Sequence, residues 1–160
     1  MSPSTHSPYA EQRLQDLGII LPPLQEPLGA YTGTVLAGNL LFLSGTVPIE
    51  AGVPRFQGRI GDDLNIEDGQ HAARLAALNA VALAKAHLGS LNRVKQIVRL
   101  GVILLTTPEF HEHPKVADGA SELLVSVFGS GTLPTRRVFG VSSMPLGFSV
   151  QLELIFEVTD

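Results

Sequence analysis

The chain has 160 residues and no cysteine. That excludes disulfides, thiolate catalysis and cysteine-held zinc or iron–sulfur sites, and it fits a reducing compartment. Charge is scarce as well, at 16% of residues. The balance is acidic, with 11 Lys and Arg against 15 Asp and Glu, a net charge of -4 and a pI near 5.7. A nucleic-acid footprint needs clustered Lys and Arg, so nucleic acid is not a favoured partner. No apolar run reaches the roughly 18 residues of a membrane span, and no membrane association is expected. Met1-Ser2-Pro3-Ser4-Thr5-His6 lacks the basic and apolar regions of a signal peptide. The expected location is cytoplasmic, and the first few residues are expected to be disordered.

What the chain does contain is apolar surface. Hydrophobic residues make up 44% and the mean hydropathy is +0.24, high for a chain with so few charges. Spare apolar area of this kind goes into subunit contacts, so an oligomer is expected. The length is that of one domain with a real core, and there is no internal repeat.

Patterning gives the elements. Tyr9 to Leu17 reads as a short amphipathic helix, with Leu14 and Leu17 spaced i, i+3 and Gly18 placed to end it. Thr34 to Ala37 and Leu40 to Ser44 are strand-like runs split by Gly38-Asn39, a hairpin signal. Pro48 to Gly61 reads as a loop with one short edge strand around Arg55 to Gln57. Asp68 to Leu88 is rich in alanine and leucine and stops at Gly89, which predicts a helix that packs closely on a sheet. Val94 to Leu105 is a β-branched run with little polar interruption after Arg99, the pattern of a centrally buried strand. Lys115 to Phe128 is a second helix, with Val116, Ala120, Leu123, Leu124 and Val127 on one side. Arg137 to Ser142 and Phe148 to Val158 are the last strands. In the latter, Val150, Leu152, Leu154 and Phe156 alternate with Gln151, Glu153, Ile155 and Glu157. The order implies an α+β fold in which two helices cover one face of a mixed sheet. The other face is left bare, which calls for assembly.

Leu133-Pro134-Thr135-Arg136-Arg137 puts two arginines at the head of an apolar strand. Successive strand residues point to opposite faces, so one arginine can lie in solvent while the other reaches a pocket or interface. An inward guanidinium needs an anionic partner. That partner is either a structural carboxylate such as Glu153 or one from a neighbouring subunit, or a carboxylate ligand held through a bidentate fork. Arg137 is the expected rim residue. His111-Glu112-His113 has the look of a metal cluster, but it lies between Pro108 and Pro114 with no third partner nearby; a solvated loop is expected and no metal site. His71 and His87 read as surface or helix-end residues. Ser142-Ser143 lacks a nucleophile-elbow pattern, and the glycine-rich segments match no phosphate-binding loop.

From about Pro27 to Val158 the chain resembles the Rid family, also called YjgF-like or L-PSP proteins, which includes enamine/imine deaminases. The resemblance is carried by Pro27-Leu28-Gly29-Ala30-Tyr31, the run Gly38 to Pro48 with Ser44-Gly45 inside it, Leu133-Pro134-Thr135-Arg136, and Pro145 onward into Val150-Gln151-Leu152-Glu153. Val116 to Leu124 together with Met144-Pro145-Leu146-Gly147 is nearer to an uncharacterised subgroup than to the deaminases proper. The resemblance divides the chain into an N-terminal extension with a short helix, residues 1–26, and a single Rid-like domain, residues 27–160. It implies a chorismate-mutase-like α+β fold and a homotrimer with intersubunit clefts.

It also implies roles. Arg136 would hold a substrate carboxylate, and Tyr31, Gly45 and Asp118 would line the same ligand. The family's water-orienting glutamate falls at Gln151, with Glu153 two residues on as a substitute. Asp118 stands where the family has asparagine. A glutamine can hydrogen-bond water but cannot take its proton, and an added negative charge beside a carboxylate site weakens binding. The expected function is binding of a small carboxylate-bearing metabolite, without a cofactor; hydrolytic deamination of 2-imino or enamino acids is the chemistry the resemblance implies, and these residues do not by themselves support it. A non-catalytic ligand sensor or partner-binding trimer is the alternative. Endoribonuclease activity, attributed to the family, is disfavoured by the acidic charge.

Overall fold

The computed structural model describes residues 9–160; the expectations for Met1 to His6 lie outside the described residues. Helix α1 is Ala10–Asp16. The hairpin β1 (Thr34–Ala37) and β2 (Leu40–Leu43) follows, then a short pair, β3 (Ile49–Glu50) and β4 (Val53–Pro54). Helix α2 (Ile66–Leu88) leads to β5 (Val94–Leu105), helix α3 (His113–Phe128) to β6 (Thr135–Val141), and β7 (Val150–Val158) ends the chain's regular structure.

Local chemistry explains most boundaries. Asn65 caps α2: its side chain accepts from Asp68 N–H at 2.8 Å, and the Asp68 carboxylate accepts from Asn65 N–H at 3.0 Å. This reciprocal cap satisfies two orphan donors and starts the helix at Ile66, ahead of the expected Asp68. Pro114 sits in the first turn of α3, where its missing N–H costs nothing, so His113 opens the helix instead of lying in a loop. The strand expected around Arg55 to Gln57 is displaced. Ala51 and Gly52, both with positive φ, turn Ile49–Glu50 back on Val53–Pro54, and Gln57 makes only an isolated bridge to Phe148.

The main sheet has five strands in the order β1-β2-β7-β5-β6. Strands β5 and β6 run parallel, joined by the α3 crossover, and the other neighbours are antiparallel. Strand β5 is interior, paired on both sides, and the middle position belongs to β7. Along β7, Val150, Leu152, Leu154, Phe156 and Val158 are buried beneath the helices, as the alternation predicts. Gln151, Glu153, Ile155 and Glu157 point to the other face, which no helix among the described residues covers. Phe42 and Phe139 also lie on that face and are 40% and 44% exposed.

Helix α2 is held close to the sheet and to α3 by small residues. Ala72, Ala73, Ala76, Ala77, Ala80 and Ala84 are all fully buried. At the crossing with α3 even a methyl group is too large: a Cβ at Gly119 would fall on the backbone carbonyl of Gln70. Helix α1 adds Ala10 and Leu14 to the same core. Leu17, expected to share that face, caps the helix and is 47% exposed. Glu11 ties α1 down, accepting from Lys85 Nζ at 2.8 Å and from Leu91 N–H at 2.9 Å.

Two outcomes follow from this packing. Gly119→Ala should destabilise the fold by about 1–3 kcal/mol, because the obstructing group is backbone and cannot rotate away; urea denaturation measures this. For Glu11, burial alone pushes its carboxyl up, but the Lys85 hydrogen bond, the Leu91 N–H and the Lys85 charge outweigh burial and hold it below its ordinary value. A lowered folded-state value means the contribution is complete above the unfolded glutamate value of about 4.3 and is lost as pH falls through the lower folded value. The melting-temperature gap between wild type and Glu11→Gln should therefore be constant near neutrality and shrink in that acidic window.

Candidate functional site

The register of β6 decides what each arginine sees. Arg136 lies opposite Leu100, a fully buried residue on the helix-covered face, so its side chain rises towards α3. There Arg136 Nη1 donates to Asp118 Oδ1 at 2.7 Å and to Ser121 Oγ at 3.1 Å. Asp118 and Ser121 are three residues apart on α3, hence on one face. Nε and Nη2 of Arg136 have no hydrogen-bond partner among the described residues. One edge of the guanidinium is thus fixed and the edge suited to a bidentate carboxylate is open. The Arg136 and Asp118 side chains are 28% and 48% exposed. An ion pair at such exposure contributes only about 0.2–1 kcal/mol; what it supplies is position.

Arg137 lies opposite Gly101, and Gly101 lies opposite Glu153. All three are on the bare face. A Cβ at Gly101 would sit 3.3 Å from Glu153 Cβ, so the glycine leaves a shallow gap between Arg137 on one side and Glu153 on the other. Glu153 and Arg136 are on opposite faces of the sheet, and the structural partner of Arg136 is Asp118, not Glu153.

Tyr31, Gly45 and Gln151 form a second group. Past the end of β2 the chain stays beside β7: Thr46 N–H donates to Leu152 O at 2.9 Å and Leu152 N–H to Thr46 O at 2.8 Å. That brings Gly45 over Gln151, where a Cβ would lie within 3.1 Å of Gln151 Nε2, Cδ and Cγ. Glycine is needed here for space. Ser44 N–H donates to Gly33 O at 2.8 Å, which draws the Tyr31 segment alongside. Tyr31 Oη accepts from Leu28 N–H at 3.2 Å, and Tyr31 and Gly45 border one cavity. The Gln151 amide has no hydrogen-bond partner among the described residues.

The two groups do not meet within one chain. Strands β2 and β6 are separated by β7 and β5, three strand-to-strand steps or about 14 Å, and Arg136 and Gln151 point to opposite faces. Sequence reasoning missed Ser121, whose signal was its i, i+3 spacing from Asp118. His113 packs edge-on against Phe110, with ring centroids 5.2 Å apart, and Glu112 pairs with Lys115. No group of three His, Cys, Asp or Glu suited to a metal occurs among the described residues. No helix among them is long and apolar enough to cross a membrane.

A five-stranded mixed sheet with two helices on one face, a glycine motif beside β7 and an arginine motif on the edge strand β6, is the class of fold these features define. The family model described as "YjgF/chorismate mutase-like, putative endoribonuclease" matches residues 11–158, and the chain belongs to that family. It is 38% identical over 148 residues to Protein TCP17 of Trypanosoma cruzi, covering 92% of each chain. It is similar to a structure from Shewanella oneidensis MR-1 described as a "putative endoribonuclease", with TM-score 0.90 and 37% identity over 94% of this chain and 99% of the other. Atu1372 of Agrobacterium tumefaciens, of unknown function, follows with TM-score 0.86 and 34% identity over 94% and 92%.

Gly45→Ala should push the Gln151 amide out of its present position at a cost of roughly 1 kcal/mol, since the obstructing group is the end of a flexible side chain. A shift of the Gln151 side-chain amide resonances, with a small drop in melting temperature, is the expected readout.

Proposed function

We propose that three copies assemble through the bare sheet face, and that each interface joins Tyr31, Gly45 and Gln151 of one subunit to Arg136, Asp118 and Ser121 of another. The cleft so formed binds a small carboxylate-bearing metabolite. The observation that carries this reading is the state of Arg136: its Nη1 is clamped by Asp118 and Ser121, while Nε and Nη2 are presented without a partner among the described residues. Exposed Phe42 and Phe139 on an uncovered sheet face support assembly, because monomers do not leave such a face in water.

The chemistry that fits is hydrolytic deamination of a 2-imino acid, with no cofactor. Protonation of the imine nitrogen makes its carbon electrophilic. Arg136 holds the carboxylate, and Gln151 orients a water that attacks that carbon. The amide of Gln151 cannot take the water's proton, so Glu153, exposed two residues along the same strand face, accepts it and delivers it to the nitrogen. The carbon–nitrogen bond then breaks as Glu153 takes the remaining hydroxyl proton, ammonia leaves and a 2-oxo acid remains. The replacement of a carboxylate by Gln151 also favours a second reading, a trimeric sensor that keeps the cleft without turnover. RNA cleavage is opposed by the net charge of -4, since binding an RNA phosphate backbone needs clustered Lys and Arg.

Freshly generated 2-iminobutanoate, with ammonia release followed, separates these readings. Deaminase activity predicts release above the uncatalysed rate, reduced at least about tenfold by Arg136→Ala. Saturable 2-oxobutanoate binding without release identifies the sensor. If wild type and Arg136→Ala are alike in both assays, the site assignment fails. Asp118→Asn should tighten 2-oxobutanoate severalfold, because it removes a competing negative charge.

A further inference from the structure

The parallel strands β5 and β6 end side by side, at Leu105 and Val141, and α3 starts at the same edge of the sheet. Arg59 straps this edge: Nη1 donates to Thr106 O and Nη2 to Ser142 O, each at 2.9 Å. A pocket opens here, lined in part by Arg59, Thr106, His111, His113 and Gly140. Gly140 lies four residues beyond Arg136 on β6, about 13 Å along the strand.

Thr106 is only 7% exposed. Its hydroxyl nevertheless makes no hydrogen bond among the described residues and is not sealed from solvent. It faces the gap that Gly140 leaves open. A Cβ on that glycine would lie 2.4 Å from Thr106 Oγ1 and 2.7 Å from His113 Nε2. Neither leg exceeds a hydrogen bond of about 2.8 Å, so one acceptor atom can reach both groups. The His113 ring is steadied by its edge-on contact with Phe110.

Charge selects the acceptor. The Arg59 guanidinium meets neutral carbonyls and has no ion-pair partner among the described residues. No carboxylate lines the pocket. Asp63 is engaged with the Arg59 backbone N–H, at 3.0 Å, and Glu112 with Lys115. The N-terminal end of the α3 dipole adds positive potential. These groups come from a loop, a strand end and a helix start, and so surround a volume. That suits a tetrahedral anion, whereas a flat carboxylate is matched by a planar fork.

We infer that this pocket binds a phosphate group, free or as a small monoester. One oxygen is shared by Thr106 Oγ1 and His113 Nε2, and another lies beside the Arg59 guanidinium. Every contributing residue belongs to one chain, and the carboxylate cleft takes no part.

Calorimetric titration of the full chain with inorganic phosphate, glycerol 3-phosphate and acetate, at fixed ionic strength, tests this. At least one phosphate compound should bind saturably, with acetate at least about tenfold weaker. The tighter of the two phosphates tells whether the free ion or an ester is preferred. Thr106→Val removes only the unpaired hydroxyl, and His113→Phe keeps the ring against Phe110. Each should weaken phosphate binding about tenfold and leave the melting temperature nearly unchanged. No saturable phosphate binding, equal binding of acetate, or indifference to either substitution would overturn the proposal. So would phosphate binding that is lost in Arg136→Ala and kept in Thr106→Val and His113→Phe, which would put the anion in the cleft.

Discussion

The close crossing of α2 and α3 at Gly119 governs much of the rest. With no side chain between Gly119 and the Gln70 carbonyl, the two helices lie side by side on one face of the sheet. The buried alanines of α2 let that pair sit low. Helix α3 is thereby fixed above β6, and the face carrying Asp118 and Ser121 comes down onto Arg136. Moving α3 outward would take both partners of Nη1 away together. A glycine remote from any ligand therefore sets the geometry of the guanidinium.

The same arrangement makes the sheet one-sided. Residues under the helices are closed off from water, whereas the opposite face carries Phe42, Phe139, Ile103 and Ile155 together with Arg137 and Glu153. This surface is too apolar for solvent alone, yet it carries charges set apart by Gly101. Such a mixture suits a contact between copies, where Arg137 and Glu153 can be paired and the phenylalanines buried. In the proposed assembly, burial of that face and completion of the cleft are one event, because the two half-sites do not meet within one chain.

Much of this was legible in the sequence. The alternation through β7 fixes which residues lie under the helices, and the alanine content of α2 predicts tight packing. The fold class and the family resemblance hold. Alternation also places Arg136 and Arg137 on opposite faces. It does not say which face is which; that depends on the parallel register with β5, set by a crossover helix no local pattern encodes. Glu153 was for that reason a plausible partner for Arg136 until the register excluded it. Strands β3 and β4 escaped notice because two-residue strands have no period to read, and their turn uses Ala51, which carries no turn signal.

Asp118 shows how one substitution can serve position and work against affinity. An asparagine there could hold Nη1 through its side-chain carbonyl and leave the guanidinium charge for a ligand. The carboxylate of Asp118 holds Nη1 more firmly but cancels part of that charge. At 48% side-chain exposure water screens it incompletely. In the proposed cleft, a ligand carboxylate at Nε and Nη2 would meet an attractive fork and, across the guanidinium, a repelling neighbour. The geometry still selects a flat, two-oxygen anion, because the fork and not the net charge defines the shape of what fits. In the proposed cleft, then, Asp118 would keep the selectivity of the fork while lowering its affinity.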